Sequence, residues 1–377
     1  MRVIALALAV FALVFVSGAA AKPTGLKLLV RAGGQLTLVG KETVNVTRLG
    51  RLAFSGDGTL FSLAGTIYGG PDTLALPTKY LVWAPTGEKA AWVTTSGSVL
   101  VWTPRGTRRI EPKGWGADWF FRENGLVWSA DGSSLAIGRG ARVWVWHDGV
   151  ARDVAGASSD ATLAGGPALA VPFAWSGDHV LWWSWPGSGS IAADGVSLYE
   201  GNRLLGVTLM YRDYTATCGS HVAFTEGVDR YSTDGKSVIF DGRPVGHDAL
   251  DSYTEPACTA TGRLVVAVGR NNVPRLTNET HRSIFQLLPT RKQLTKPPWG
   301  WSDEDPRLYA NGDLIFVRTR STFKKQDVTQ TGHVMLLSQG KLTQLAATSF
   351  TENELTSTYP IEYYGHYDWS HSLAVWP

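Results

Sequence analysis

The sequence is short of the features on which many functional assignments rest. In 377 residues it has two cysteines and three methionines, and charged residues make up only 18%. No Cys-x-x-Cys pair, EF-hand loop or other dedicated metal spacing occurs, so neither a metal nor a cofactor is expected. A Gly-x-Ser-x-Gly elbow is missing, and the repeats described below leave no stretch for an attached α/β hydrolase domain. His221, His247, His281 and His366 fall in different units, with no partnered Ser or Cys. After residue 16 no unbroken apolar run approaches about 18 residues, so no membrane span is expected there. The net charge is +3, and about +2 without Arg2, which removes any bulk electrostatic case for nucleic acid. The charge is uneven: residues 263–341 hold thirteen Lys or Arg against six acids, either a solvated basic sector or a polyanion site.

What is present begins with Arg2, an apolar run over residues 3–16 and the small-residue stretch Ser17-Gly18-Ala19-Ala20-Ala21. This is the pattern of a cleaved signal peptide over residues 1–21, with Lys22 as the mature N-terminus. The chain is therefore expected to be exported: periplasmic, cell-surface or secreted. Residues 22–377 follow as one domain, rich in Gly (42 in all) and Trp (16). That composition suits short strands joined by tight turns.

A short pattern recurs along this domain: an aromatic residue, a small polar residue, a variable position, then Asp-Gly. It reads Phe54-Ser55-Gly56-Asp57-Gly58, Trp83-Ala84-Pro85-Thr86-Gly87, Trp128-Ser129-Ala130-Asp131-Gly132 and Trp175-Ser176-Gly177-Asp178. Weaker copies start at Cys218, Cys258, Tyr309 and Trp369. Most starts are 40 to 51 residues apart, with one step of 29 and one of 60. Within a unit the grammar is strand, turn, strand, strand, turn, strand. Arg142-Val143-Trp144-Val145-Trp146 alternates β-branched and aromatic side chains, so both faces of its sheet are apolar. Such a sheet is stable only when stacked against neighbours on both sides, which predicts an all-β propeller of four-stranded blades. The stretches 27–31, 35–39 and 43–49 read as three strands with no signature before them, and residues 367–377 supply a signature with no later strands. The two ends complete one blade. Counting it gives eight blades, slightly preferred; the unit from Phe54 to Tyr80 is cramped, which keeps seven as the alternative.

The Trp-Ser-x-Asp-Gly turn, the apolar strand after it and the second Gly-containing turn resemble the TolB-type, WD-repeat-like β-propeller family. The resemblance spans nearly the whole domain and implies a non-catalytic propeller that binds a protein or peptide. Asp303-Glu304-Asp305-Pro306 is similar to the Asp-Pro step before the repeat in that family, where it is mainly structural.

Cys218 and Cys258 stand where stronger units carry the aromatic, in two consecutive units. That favours a disulfide between neighbouring inner strands; the alternative is two buried free thiols. Strand order puts the tight Asp-Gly turns on one face and nearly all long segments on the other, namely residues 111–124, 155–171, 226–235, 270–282, 321–332 and 346–366, where binding residues tend to gather. Just before inner strands, at the channel mouth, stand Glu123, Asp213, Glu255, Asp305 and His366. Such acids could bind a cation, pair for acid–base attack on a glycan or phosphoester, receive a basic peptide, or simply cap strand ends. Trp115, Trp119, Trp299 and Trp301 on the same loops could stack on a sugar or peptide, or pack between blades.

Overall fold

The computed structural model describes residues 26–46, 50–78, 80–110, 125–156, 169–185, 195–227, 235–270, 281–324, 327–353, 362–363 and 366–376. Six four-stranded antiparallel sheets follow one another along the chain, over residues 52–75, 82–109, 126–156, 169–208, 215–246 and 251–293 (blades 1 to 6). An eight-stranded sheet and a two-stranded pair, Glu362–Tyr363 with His366–Tyr367, hold the remaining strands. The larger sheet divides into blade 7 (residues 302–353) and blade 8, joined by one parallel pair, Ala32 with Ser349. Blade 8 takes its inner strand, Leu373–Trp376, from the C-terminus and Lys27–Ala32, Gln35–Leu38 and Glu42–Asn45 from the N-terminus. The molecule is thus an eight-bladed β-propeller whose ring is closed by its two ends. The cramped first unit is a full blade built from strands of two or three residues.

The recurring turn has a local cause. Ser129 Oγ donates to Asp131 Oδ1 at 2.6 Å and accepts from Ser134 N–H at 2.9 Å, while Ser133 N–H donates to Asp131. Ser55, Asp57 and Leu60 repeat that network in blade 1. The carboxylate satisfies backbone donors the tight turn would leave bare, and Gly132 (φ +70°) takes the left-handed position. Aromatics at the ends of inner strands tie blades together: Trp128 Nε1 donates to Val82 O and Trp175 Nε1 to Val127 O, both at 3.1 Å.

The cores lie between blades rather than within them. Trp144 and Trp146 pack toward blade 2, beside Val93 and Val101, whereas Val143 and Val145 pack toward blade 4, beside Val180 and Trp182. This is why alternation within one strand leaves no polar face. Trp128→Phe keeps most of the wedge but removes the indole bond to Val82 O, a carbonyl that also pairs within its own sheet; equilibrium unfolding is expected to show a loss of about 1 kcal/mol.

Closure is reinforced where blade 8 meets blade 1. Trp376 Nε1 donates to Gly56 O, Lys27 Nζ to Gly58 O, and a Cβ at Gly58 would lie 2.5 Å from the Trp376 ring. On the other side, Trp369 wedges among Val317, Val334 and Leu373. The expected signature at Trp369 is displaced, however. It forms a 3-10 turn, Trp369–His371, ahead of the inner strand, and Trp376 ends that strand instead.

Most of the long segments expected on the second face lie outside the described residues. Two within them differ from expectation. Residues 321–324, 327–332 and 346–353 are not loop but extensions of three strands in blade 7, Leu314–Lys324, Asp327–Ser338 and Lys341–Asn353. Alternating Thr and β-branched residues favour the extended form there, and Thr319 and Ser321 both donate to Gln330 Oε1. Cys218 and Cys258 end the inner strands of blades 5 and 6 and are joined by a disulfide, with Cα atoms 5.8 Å apart.

Candidate functional site

A cavity of about 640 Å³ opens at the centre of the ring on the long-segment face. Its lining comes from blades 1, 2, 5, 7 and 8, and blades 1 and 5 stand opposite one another, so it occupies the axial channel. The walls differ in character. Leu52, Phe54, Leu81, Val82, Trp83 and Met210 contribute apolar surface, while Asp213, Asp305, Arg307, His366 and Asp368 line a charged side.

On that charged side two inner strands carry the same distortion. Glu255-Pro256 in blade 6 and Asp305-Pro306 in blade 7 sit at register shifts, and both acids have left-handed backbone, φ +55° and +49°. A residue of this type before proline is normally extended, so each position is strained and is held by its surroundings. Asp305 N–H donates to Glu255 Oε2 at 2.6 Å, which locks the two distortions together. These acids therefore lie within the inner strands Asp251–Cys258 and Ser302–Leu308, not ahead of them as expected: the bulge lets the strand continue past the acid.

Behind them, buried Arg282 reaches from the second-to-third connection of blade 6. Its Nη1 lies 3.3 Å from Glu255 Oε1 and 3.3 Å from Glu304 Oε1, so one guanidinium links blades 6 and 7. Burial pushes the Glu255 carboxyl up, to about 8, with Arg282 opposing and Glu304 adding to the rise. Glu304 moves in the same direction for the same first cause. Burial also raises Asp305, against the pull of Arg307, whose Nη2 is 2.7 Å from Asp305 Oδ2.

Asp213 comes from the 3-10 turn Arg212–Tyr214 ahead of the blade 5 inner strand. His366 precedes the blade 8 inner strand, yet its Nε2 lies 2.8 and 2.7 Å from the two Asp213 oxygens, donating across the channel. Tyr211 stacks on the imidazole at 3.9 Å and Tyr214 meets it edge-on at 5.3 Å. Burial works against charge on His366, but Asp213 and Glu255 lift it above its ordinary value. Beside this pair, Asp368 meets Arg51 at 3.2 Å. Burial opposes ionisation of Asp368, but Arg51, His371 and Ser370 hold it well below the usual carboxylate range.

Of the residues singled out in the sequence, Asp213, Glu255, Asp305 and His366 converge on this wall. Glu123, Trp115 and Trp119 lie outside the described residues. Trp299 and Trp301 are not buried between blades: Trp299 is 90% exposed and stacks on His281 at 4.2 Å, and half-buried Trp301 leans on His333 at 4.8 Å. Neither lines the cavity. Sequence reasoning missed Arg282, Tyr211 and Tyr214, and read Glu304 only as part of a structural Asp-Pro step. The acid-Pro step repeated in consecutive units, at Glu255-Pro256 and Asp305-Pro306, is a signal that could have tied these strands together.

No family model and no curated protein matches the chain. Solved structures do. Pyrococcus horikoshii acylaminoacyl peptidase aligns at a TM-score of 0.44 and 11% identity, over 85% of this chain and 52% of that one. Porphyromonas gingivalis dipeptidyl peptidase 4 aligns at 0.47 and 10%, over 89% and 60%. The β-propeller domain of the Trilobed protease from Pyrococcus furiosus aligns at 0.37 and 11%, over 71% and 95%. The chain thus spans about half the length of the first of these proteins.

Proposed function

We propose that this chain is an exported, non-catalytic propeller of the TolB-type, WD-repeat-like kind, and that it binds a peptide segment of a partner protein in its axial cavity. The reading is carried by the cavity's two walls. An extended peptide offers apolar side chains to one side and backbone dipoles and charges to the other. The cavity offers both kinds of lining, Leu52, Leu81 and Trp83 beside Asp213, Asp305, Arg307 and Asp368. Its volume lies within the range of roughly 300–1,000 Å³ common for such sites. The Trp-Ser-x-Asp-Gly turns support the family placement. The disulfide supports an oxidising compartment, in keeping with a signal peptide over residues 1–21 and a mature domain over 22–377.

The alternative of a glycan- or phosphoester-active hydrolase requires carboxylates free to exchange protons with a substrate. Here Asp213 is engaged by His366, Glu255 by Arg282, Asp305 by Arg307 and Asp368 by Arg51. A glycan-binding reading rests on the exposure of Trp299, outside the cavity.

The readings separate in one experiment. Oxidised protein is panned against a random peptide library, in parallel with a glycan array, as wild type, Arg212→Glu at the cavity and Arg105→Glu on the opposite face. The expected result is a peptide consensus enriched by wild type and Arg105→Glu and lost with Arg212→Glu. No peptide enrichment, or enrichment indifferent to Arg212→Glu, overturns the proposal. Glycan retention that disappears with Trp299→Ala transfers the function to the aromatic loop.

A further inference from the structure

We infer that Asp213, Glu255 and His366 form a binding site for one divalent transition-metal ion, with Zn²⁺ the best match. The three residues are far apart in sequence and come from blades 5, 6 and 8, which is why no ligand spacing marks them. Folding brings one donor atom from each, two carboxylate oxygens and an imidazole nitrogen, within 4.8 Å of one another. Zn²⁺ takes such ligands at about 2.0–2.2 Å, so small side-chain rotations close the set. A single imidazole beside two carboxylates suits Zn²⁺ better than the all-oxygen shells preferred by Ca²⁺ or Mg²⁺.

A further observation points to an ion. Tyr214 is fully buried, its ring edge-on to His366, and its hydroxyl has no hydrogen-bond partner among the described residues. Tyr214 follows Asp213 directly in the chain, and its ring meets that of His366, so it stands at the same cluster. A buried phenol left unsatisfied costs about 1–3 kcal/mol, and a water on a bound ion would donate to its oxygen.

The surroundings also hold the ligands in place. Strain at Glu255 is fixed by the Asp305 N–H, and the His366 ring is clamped between Tyr211 and Tyr214. Such outer contacts typically tune affinity about 10–100-fold. Asp213 and His366 also line the cavity, so an ion held by three protein ligands keeps a coordination position open toward it. The inference stands independently of what the cavity binds.

The test uses the full disulfide-intact protein, stripped with a chelator and titrated by calorimetry with Zn²⁺, Mn²⁺, Mg²⁺ and Ca²⁺. One equivalent of Zn²⁺ is expected, bound more tightly than Ca²⁺ or Mg²⁺. His366→Asn and Asp213→Asn should each weaken it by about 100-fold or more, since each deletes a ligand rather than an outer partner. His147→Asn, at an exposed histidine in blade 3, should leave it unchanged. X-ray absorption of the loaded protein should show oxygen and nitrogen donors without sulfur. Asp213→Asn retains the size and a hydrogen bond to His366, so it decides the matter if His366→Asn does not fold. Zn²⁺ binding that survives either substitution, absence of binding in wild type, or preference for Ca²⁺ overturns the assignment.

Discussion

Replacing Arg282 by Met is expected to lower the stability of this propeller by about 3–5 kcal/mol. Among the described residues the guanidinium is the one Lys or Arg group paired with Glu255 and Glu304, and all three side chains are no more than 4% exposed. Methionine fills much of the volume, so the cost comes from electrostatics: two buried carboxylates lose the charge that offsets their desolvation. The pH dependence has a defined sign. Burial already raises both carboxyls above their ordinary value of 4.5, Glu255 to about 8. A folded state that prefers the proton loses stability as pH rises from the ordinary carboxylate value through the folded one. Removing the opposing cation extends that window upward, so the deficit of Arg282→Met should be smaller at pH 5 than at pH 8. Arg282→Lys, which keeps the charge but cannot bridge two carboxylates with one planar fork, should fall between. Urea unfolding at the two pH values checks this; equal stability of Arg282→Met and wild type at pH 8 would contradict it.

Losing the disulfide should cost about 4 kcal/mol, the entropic estimate for releasing a loop of about this length in the unfolded chain. Cys218 and Cys258 are 40 positions apart and join the inner strands of consecutive blades. Opening the bond frees the contact between blades 5 and 6, in a packed region that includes Val238, Leu264 and Val266. The double variant Cys218→Ser/Cys258→Ser and the wild type under reductant should unfold at the same lowered denaturant midpoint. A midpoint unmoved by either treatment would show that the bridge adds nothing to ring stability.

How much of this was legible in the sequence depends on the range of the interaction concerned. The Ser129–Asp131–Gly132 turn is made within six residues, so its pattern reports its structure directly. The apolar alternation of residues 142–146 reports that both sheet faces are covered, because each neighbour packs against one set of side chains. Even the cysteines were readable, since both replace an aromatic at a position that faces the next blade. The channel wall was only half legible. Asp213 and His366 meet over 153 positions of sequence, and their contact exists only because eight blades close the ring. Arg282 was missed because it acts from a connecting segment on two strands of different blades, and no spacing encodes that. The extended strands of blade 7 were read as loop because their polar Thr, Ser and Gln side chains pair across strands, where an apolar alternation was the signal sought.

The central claim is that ligands enter the axial cavity on the long-segment face. Hydrogen–deuterium exchange, with and without a peptide enriched by panning, tests it most directly. The account predicts slowed exchange in residues 51–54, 80–83, 210–213, 366 and 368–370, which line the cavity from blades 1, 2, 5 and 8. Protection confined to the Asp-Gly turns of the opposite face, or to the surroundings of His281 and Trp299, would contradict it.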